Sequence, residues 1–157
     1  MPDLIDVAPL AAHPENLSKL AAWLENAWPA WYGPGGSGIA IDDLRARCRR
    51  NGLPCALVAL CDGELCGTAA LTPVSVPSHA HLGPWLSGLL VASEFRRRGI
   101  AERLIEGIEV VARQQGYKQI YAAAGNGPVT PRTSLRRRGW SVFDGAGSGL
   151  TVYSKAL

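Results

Sequence analysis

The stretch Leu89-Leu90-Val91-Ala92-Ser93-Glu94-Phe95-Arg96-Arg97-Arg98-Gly99-Ile100-Ala101, continuing into Glu102-Arg103-Leu104-Ile105, restricts this chain more than any other. It reads as the end of an apolar strand, a short basic turn with one glycine, and the first turn of a helix. The first N–H groups of a helix have no intrahelical partners and carry a partial positive charge, so they attract anions. Three arginines beside them add full charges. Gly99 lets the backbone approach a ligand where a Cβ would intrude. Together these features predict a cradle for a phosphate or pyrophosphate. The stretch is not a Walker loop, which needs Gly-x-x-x-x-Gly-Lys-Ser/Thr, and it lacks the three glycines of the dinucleotide fingerprint.

Charge distribution narrows what the cradle serves. The net charge is only +3, yet residues 93–139 hold ten of the sixteen Lys and Arg against four acids. A basic region of this kind suits a phosphorylated cofactor, a nucleic acid or a membrane surface. Nucleic acid is the weaker reading, because the runs Arg96–Arg98 and Arg136–Arg138 adjoin only Phe95 and Trp140, and single-strand readers interleave more aromatics for stacking. No apolar run approaches the roughly 18 residues that a membrane span needs, and no secretory leader is expected, so the chain reads as cytoplasmic. With 157 residues, 47% hydrophobic and 18% charged, it suffices for one domain over 1–157 with a true core. Cys48, Cys55, Cys61 and Cys66 form no C-x-x-C pair, and His79 and His81 stand in a Pro-rich loop without nearby Cys or acid ligands. Free thiols and no metal site are expected.

In chain order, Leu4–Val7 suits a first strand. A helix from Pro14 to Trp28 places Leu17, Leu20, Ala21, Leu24 and Trp28 on one face. A flexible aromatic and glycine-rich loop follows over 30–38, of a kind that lines binding sites. Ile41–Cys48 reads as a second helix, capped by Asn51-Gly52. Cys55–Cys61 and Glu64–Leu71 form a hairpin around Asp62-Gly63. Trp85–Val91 is the central strand, in which Gly88 predicts a bulge or a close approach. The helix after the basic turn points Ala101, Leu104, Ile105, Ile108, Val111 and Ala112 inward and Glu102, Arg103, Glu106, Glu109 and Arg113 outward. Strand 118–123, a helix over 129–138 and a hairpin of 140–143 with 150–154 complete the chain.

Arg96-x-x-Gly99-x-Ala101, preceded by Leu89-x-Val91 and followed by an amphipathic helix, resembles the acetyl-CoA-binding signature of the GNAT superfamily of N-acetyltransferases. The resemblance covers most of the chain and is densest from Pro84 to Gly116. It implies an α/β (α+β) fold, a mixed, mostly antiparallel twisted sheet flanked by helices, whose central strand splays from its neighbour. It implies acetyl-CoA as cosubstrate, held by the backbone of Leu89, Leu90 and Val91, by Arg96, Arg97 and Arg98, and by Gly99, Ile100, Ala101, Glu102 and Asn126. Asn126 and Gly139-Trp140 resemble the second motif of the superfamily. Its tyrosine, which reprotonates the departing thiolate, is replaced here by Leu135.

The implied reaction is attack of a free amine, from a small molecule or peptide, on the thioester in a ternary complex. A protonated amine must first lose a proton. His81, Glu94, Asp144 and a water held by Ser87 are the candidate acceptors, with Glu94 better suited to a turn. Ser134, Tyr121 and Tyr153 are candidate proton donors, and Leu135→Tyr is expected to raise turnover if packing allows it. Trp28, Trp31, Tyr32 and Trp85 are expected at the acceptor, where aromatic faces suit an apolar or cationic amine. A homodimer is compatible with the reading. A non-catalytic acyl-CoA-binding module and a basic nucleic-acid-binding domain are the alternatives.

Overall fold

The Asp62-Gly63 turn shows how directly local chemistry builds the sheet. In the computed structural model, which describes residues 4–125, 131–145 and 149–157, these two residues have φ of 51° and 85°. Left-handed backbone at both central positions matches the twist of the strands that a two-residue hairpin joins. Those strands are β2 (Cys55–Cys61) and β3 (Glu64–Thr72). With β1 (Ile5–Pro9), β4 (Trp85–Val91), β5 (Gln119–Gly125), β6 (Ser141–Asp144) and β7 (Leu150–Ala156) they form one sheet in the order β1-β2-β3-β4-β5-β7-β6. Every neighbouring pair is antiparallel except β4–β5, which is parallel. The sheet is the mixed, mostly antiparallel one that the resemblance implied.

Helices α1 (Leu17–Ala27), α2 (Pro29–Tyr32) and α3 (Ala40–Ala46) precede the hairpin, α4 (Ile100–Gln114) follows the basic turn, and α5 (Arg132–Arg137) lies near the end. Alternate residues of β2 separate two cores. Leu57 and Ala59 join Leu104, Ile105 and Ile108 of α4 on one face. Ala56 and Val58 join Leu20, Leu24 and Leu44 of α1 and α3 on the other. A strand covered on both faces reads as an unbroken apolar run, as Cys55–Cys61 does.

Packing rather than capping holds α4. Among the described residues no side chain caps its start at Gly99, and a glycine there forgoes about a few tenths of a kcal/mol against a capping residue. Leu104, Ile105 and Ile108 are completely buried, and each such side chain contributes about 1.5–3 kcal/mol. The helix therefore docks without using its first N–H groups.

The central strand departs from regularity where Gly88 stands. Thr68 of β3 pairs with Leu90 and Ala70 with Ser87, so one residue of β3 faces two of β4. That bulge puts Gly88 at φ 58°. On its other side, β4 pairs with β5 only at Trp85–Tyr121 and Leu86–Ala122, while β5 continues along β7 to Gly125. From Ser87 onward the two strands part.

Several boundaries shift from the sequence reading. Pro14–Asn16 is a 3-10 turn before α1. Pro29 opens α2, so Ala30, Trp31 and Tyr32 of the expected loop belong to a short helix, with Trp28 at its N-cap. The glycines after it wrap the indole: a Cβ on Gly38 would lie 2.3 Å from Trp31 Nε1. Helix α3 ends at Ala46, before Asn51-Gly52, because the Arg47 carbonyl accepts Ala56 N–H at 3.1 Å and turns the chain into β2. Among the described residues the late helix runs over Arg132–Arg137, and 129 and 130 lie outside them.

Glu109 is the largest correction. It is 1% exposed on α4, not on the solvent face. Its Oε1 accepts Arg138 Nη2 at 2.9 Å and Lys155 Nζ at 2.8 Å, and its Oε2 accepts Trp140 Nε1 at 2.9 Å. Burial pushes the carboxyl up, but the hydrogen bonds from Arg138, Lys155 and Trp140 outweigh it and hold the group below its ordinary value. Its stabilising contribution is thus present above the usual carboxylate range and is lost as pH falls through the lowered value. Glu109→Ala removes the carboxylate shared by Arg138 and Lys155 and leaves Arg138 only the more exposed Glu106, and breaking a buried pair costs about 3–5 kcal/mol. Thermal melts should show that loss, and the wild type should lose more stability on acidification than Glu109→Gln.

Candidate active site

The basic turn is shaped by two left-handed residues. A 3-10 turn over Ser93–Phe95 buries Phe95, and the chain then passes through Arg97 at φ 67° and Gly99 at φ 76°. Gly99 is suited to this conformation; Arg97 is held in it at a cost of about 1–3 kcal/mol. Strain of this kind, beside the start of a helix, is expected where the backbone is being aimed. The first helical bond runs from Arg103 N to Gly99 O at 3.1 Å, so the N–H groups of Ile100, Ala101 and Glu102 have no acceptor within the helix. A Cβ on Gly99 would meet nothing within 4 Å.

These groups open on a cleft of about 450 Å³ lined by Val91, Phe95, Arg96, Arg97, Gly99, Ile100, Ala101, Glu102, Ser134 and Arg137. The cationic lining differs from the sequence reading. Arg98 turns back onto the protein, its guanidinium 5.2 Å from the Phe95 ring centroid and its Nη2 donating to Glu94 O at 3.5 Å. Arg137 takes the place at the cleft, tied to Glu102 Oε1 at 3.2 Å. Arg96 stays at the rim, its Nε donating to Val91 O at 3.4 Å. Periodicity cannot reveal this exchange, because Arg137 reaches the cleft from α5 and not from the turn.

Leu135 is completely buried in the core, while its neighbour Ser134 faces the cleft. Leu135→Tyr would have to force a phenol into packed space, so the expected gain in turnover is withdrawn. Tyr153 is likewise buried at 1% exposure. Arg138 of the second arginine run is spent on Glu106 and Glu109. Asn126 lies outside the described residues.

Where β4 and β5 part, a fork opens, and above it lies the sheet face opposite α4. Ser87 Oγ is 2.6 Å from Thr72 Oγ1, which gives it a protein partner. Tyr121 packs its ring against Trp85 at 5.6 Å and Phe143 at 5.3 Å. Trp85 is completely buried, its Nε1 donating to Leu82 O at 2.9 Å. It is an anchor for β4 and presents no surface to an acceptor. On the α3 side, Arg47 Nη1 lies 3.2 Å from where a Gly88 Cβ would stand. Tyr32 donates to Asp43 Oδ2 at 2.7 Å, and burial followed by that bond pushes its phenol up. Trp28 and Trp31 are exposed beside it.

His81 is exposed and stacks on His79 at 6.3 Å. His79, which the sequence offered only as half of a pair, bonds Asp144 Oδ2 through Nε2 at 2.8 Å and Ser78 Oγ through Nδ1 at 2.9 Å. Glu94 accepts from its neighbour Ser93 at 3.2 Å, as a turn residue does. Among the described residues no group of three or more His, Cys, Asp or Glu side chains is placed to hold a metal, and no helix is long and apolar enough to cross a membrane. The Cys66 thiol is pushed up to about 11, mainly by burial, so it is packed rather than reactive.

A family model described as acetyltransferase (GNAT) family matches residues 18–131. The chain is similar in structure to the PaiA N-acetyltransferase of Thermoplasma acidophilum, solved with coenzyme A, at 16% identity, with 98% of this chain and 99% of that chain covered and a TM-score of 0.73. It is also similar to the aminoglycoside 6'-N-acetyltransferase of Enterococcus faecium, at 18% identity, 98% and 96% coverage and a TM-score of 0.69. A GNAT-family acetyltransferase of Streptococcus pneumoniae gives 16% identity, 99% of each chain and 0.67. No curated protein sequence matches the chain significantly. At these identities the structural likeness shows the fold.

The cleft makes a prediction that separates charge from backbone. Arg97→Gly suits φ 67°, so its melting temperature should stay near the wild-type value while CoA binding weakens. Arg137→Ala should weaken CoA similarly, by roughly 1–2 kcal/mol each, with pantetheine binding unchanged. Gly99→Glu should abolish CoA binding in a folded protein, and Arg98→Ala should alter stability more than affinity. Calorimetric titration with CoA and pantetheine checks all four.

Proposed function

Because the chain belongs to the GNAT acetyltransferase family, we propose that it moves an acetyl group from acetyl-CoA to a primary amine of a small molecule or peptide, by direct attack in a ternary complex. The observation that carries this reading is the fork between β4 and β5, which opens beside the cleft that the α4 N-terminus and three arginines line. The residues fit the cosubstrate in kind: unpaired strand edge for an amide-bearing arm, and cations with helical N–H groups for a diphosphate.

When bound, acetyl-CoA supplies the thioester carbonyl carbon that an amine attacks. The chain's part is to hold and polarise. Arg96, Arg97 and Arg137 meet phosphate charge, with Glu102 fixing Arg137. Backbone N–H groups of β4 beyond Ser87 point donors at a carbonyl oxygen, where charge develops in the transition state. Tyr32, with Trp28 and Trp31 beside it, forms the aromatic wall for the acceptor. Ser134, on the cleft in place of the buried Leu135, or solvent returns a proton to the thiolate. Thiols titrate near pH 8.5, so the thiolate is a tolerable leaving group near neutrality.

The neighbours' names span an aminoglycoside acceptor and other acetyltransferases, so the acceptor class is left to experiment. An amine panel with acetyl-CoA and thiol-release detection should yield at least one amine whose turnover rises with pH as it deprotonates, without a steep alkaline fall. Binding of acetyl-CoA with no thiol release from any amine would instead indicate a binding module.

A further inference from the structure

We propose that Ser78, His79 and Asp144 form a relay that takes the proton an acceptor ammonium must lose before it attacks. The proposal rests on the acyl-transfer reading and assigns a role that neither the family match nor the fold assigns.

Strand register puts Asp144 on the sheet face onto which the fork opens, two strands beyond β5. Ala70 of β3 stands opposite Ser87 of β4. The β4–β5 pairs Trp85–Tyr121 and Leu86–Ala122 bring Ser87 and Ala123 next in line, at the mouth of the fork. Ala123 stands opposite Val152 of β7, and Val152 opposite Asp144 of β6. Residues opposed across strands share a face. Leu86, Ala122 and Tyr153 belong to the α4 core, so Ser87, Ala123, Val152 and Asp144 form one row on the other face.

His79 reaches that row from an unexpected direction. Its segment leaves β3 after Thr72 and enters β4 at Trp85, in the middle of the sheet. Yet its ring bonds Asp144 on the edge strand β6, so the segment crosses the face of β5 and β7 to do so. The side chains are 17% and 37% exposed, Ser78 is exposed, and His81 stacks on the outer side of the ring. Among the described residues, Asp144 from β6 and His81 from the same segment are the titratable groups in contact with the His79 ring.

The chemistry follows from donor and acceptor inventory. An ionised carboxylate only accepts, so the hydrogen between His79 Nε2 and Asp144 Oδ2 belongs to Nε2. That leaves a lone pair on Nδ1, facing the Ser78 hydroxyl at 2.9 Å. An ammonium bonded to Ser78 Oγ gives a proton to that oxygen as the hydroxyl gives its own to Nδ1. One substrate N–H bond breaks, one Nδ1–H bond forms, and the serine is unchanged. The positive charge passes from the amine to an imidazolium facing Asp144, and the amine's lone pair is freed for attack. His79 and Asp144 are positioning and proton-holding residues; Ser78 is the one that touches the substrate.

The test uses the best alkylamine of the panel and the full chain carrying His79→Gln, Ser78→Ala or Asp144→Asn, each verified as folded by its melting curve. General acid–base help contributes about 10²–10⁴-fold, so kcat/KM near neutral pH should fall at least about 10²-fold in His79→Gln, with KM for acetyl-CoA unchanged. Asp144→Asn keeps an acceptor for Nε2–H and should lose less. The decisive readout is the ratio of wild-type to variant kcat/KM between about pH 7 and about pH 9.5. An alkylamine is increasingly free of its proton over that range, so the ratio should shrink steadily if the residues move a proton. A ratio constant with pH, or Ser78→Ala equal to wild type throughout, overturns the relay while leaving acyl transfer intact. A panel in which no amine is turned over removes the acyl-transfer reading, and the relay with it.

Discussion

The hydrogen bonds that β4 does not make to β5 are the feature on which the rest of this molecule depends. A central strand ordinarily satisfies its backbone on both sides, since an unpaired buried N–H or C=O costs as much as a lost hydrogen bond. Here the parallel ladder stops after Leu86–Ala122, and the bulge at Gly88 bends the strand away. What remains among the described residues is a strip of donors and acceptors from Ser87 onward, ending where Val91 O accepts Arg96 Nε, and it leads directly to the basic turn. A ligand with alternating amides and a diphosphate at one end has the complementary order of groups.

That opening has to be held apart by the elements around it. On one side, α4 is fixed by the apolar face that Leu104, Ile105 and Ile108 bury, which leaves its N-terminal N–H groups uncommitted. On the other, Glu109 ties α4 to the end of α5 through Arg138 and to β7 through Lys155. Because α5 carries Arg137 and Ser134 to the cleft, this buried carboxylate sets where the cleft's far wall stands. It acts at a distance from the chemistry, through position alone. The same logic applies across the sheet, where the His79–Asp144 bond fixes the connection between β3 and β4 over the opposite face.

The sequence disclosed those features whose physical cause is local. Asp62-Gly63, Gly88 and Gly99 were legible because a turn, a bulge and a helix start each demand backbone that few residues tolerate, and all three have positive φ. The α4 face was legible because its period is carried by neighbouring residues. Glu109 was not, since a glutamate on a polar stripe gives no sign that partners 29 and 46 residues later will enclose it. Nor was the His79–Asp144 bond, which joins residues 65 apart through sheet order, nor the exchange of Arg98 for Arg137 at the cleft. The asparagine expected at the cosubstrate, Asn126, lies outside the described residues.

The central claim is that the parted edge of β4 and the glycine turn hold one ligand together. Amide hydrogen exchange measured with and without CoA tests it most directly. Slowed exchange in both 87–91 and 99–102, with β2 and β3 unchanged, is the predicted result. Protection of the turn alone, with 87–91 exchanging as fast as in the free protein, would contradict it.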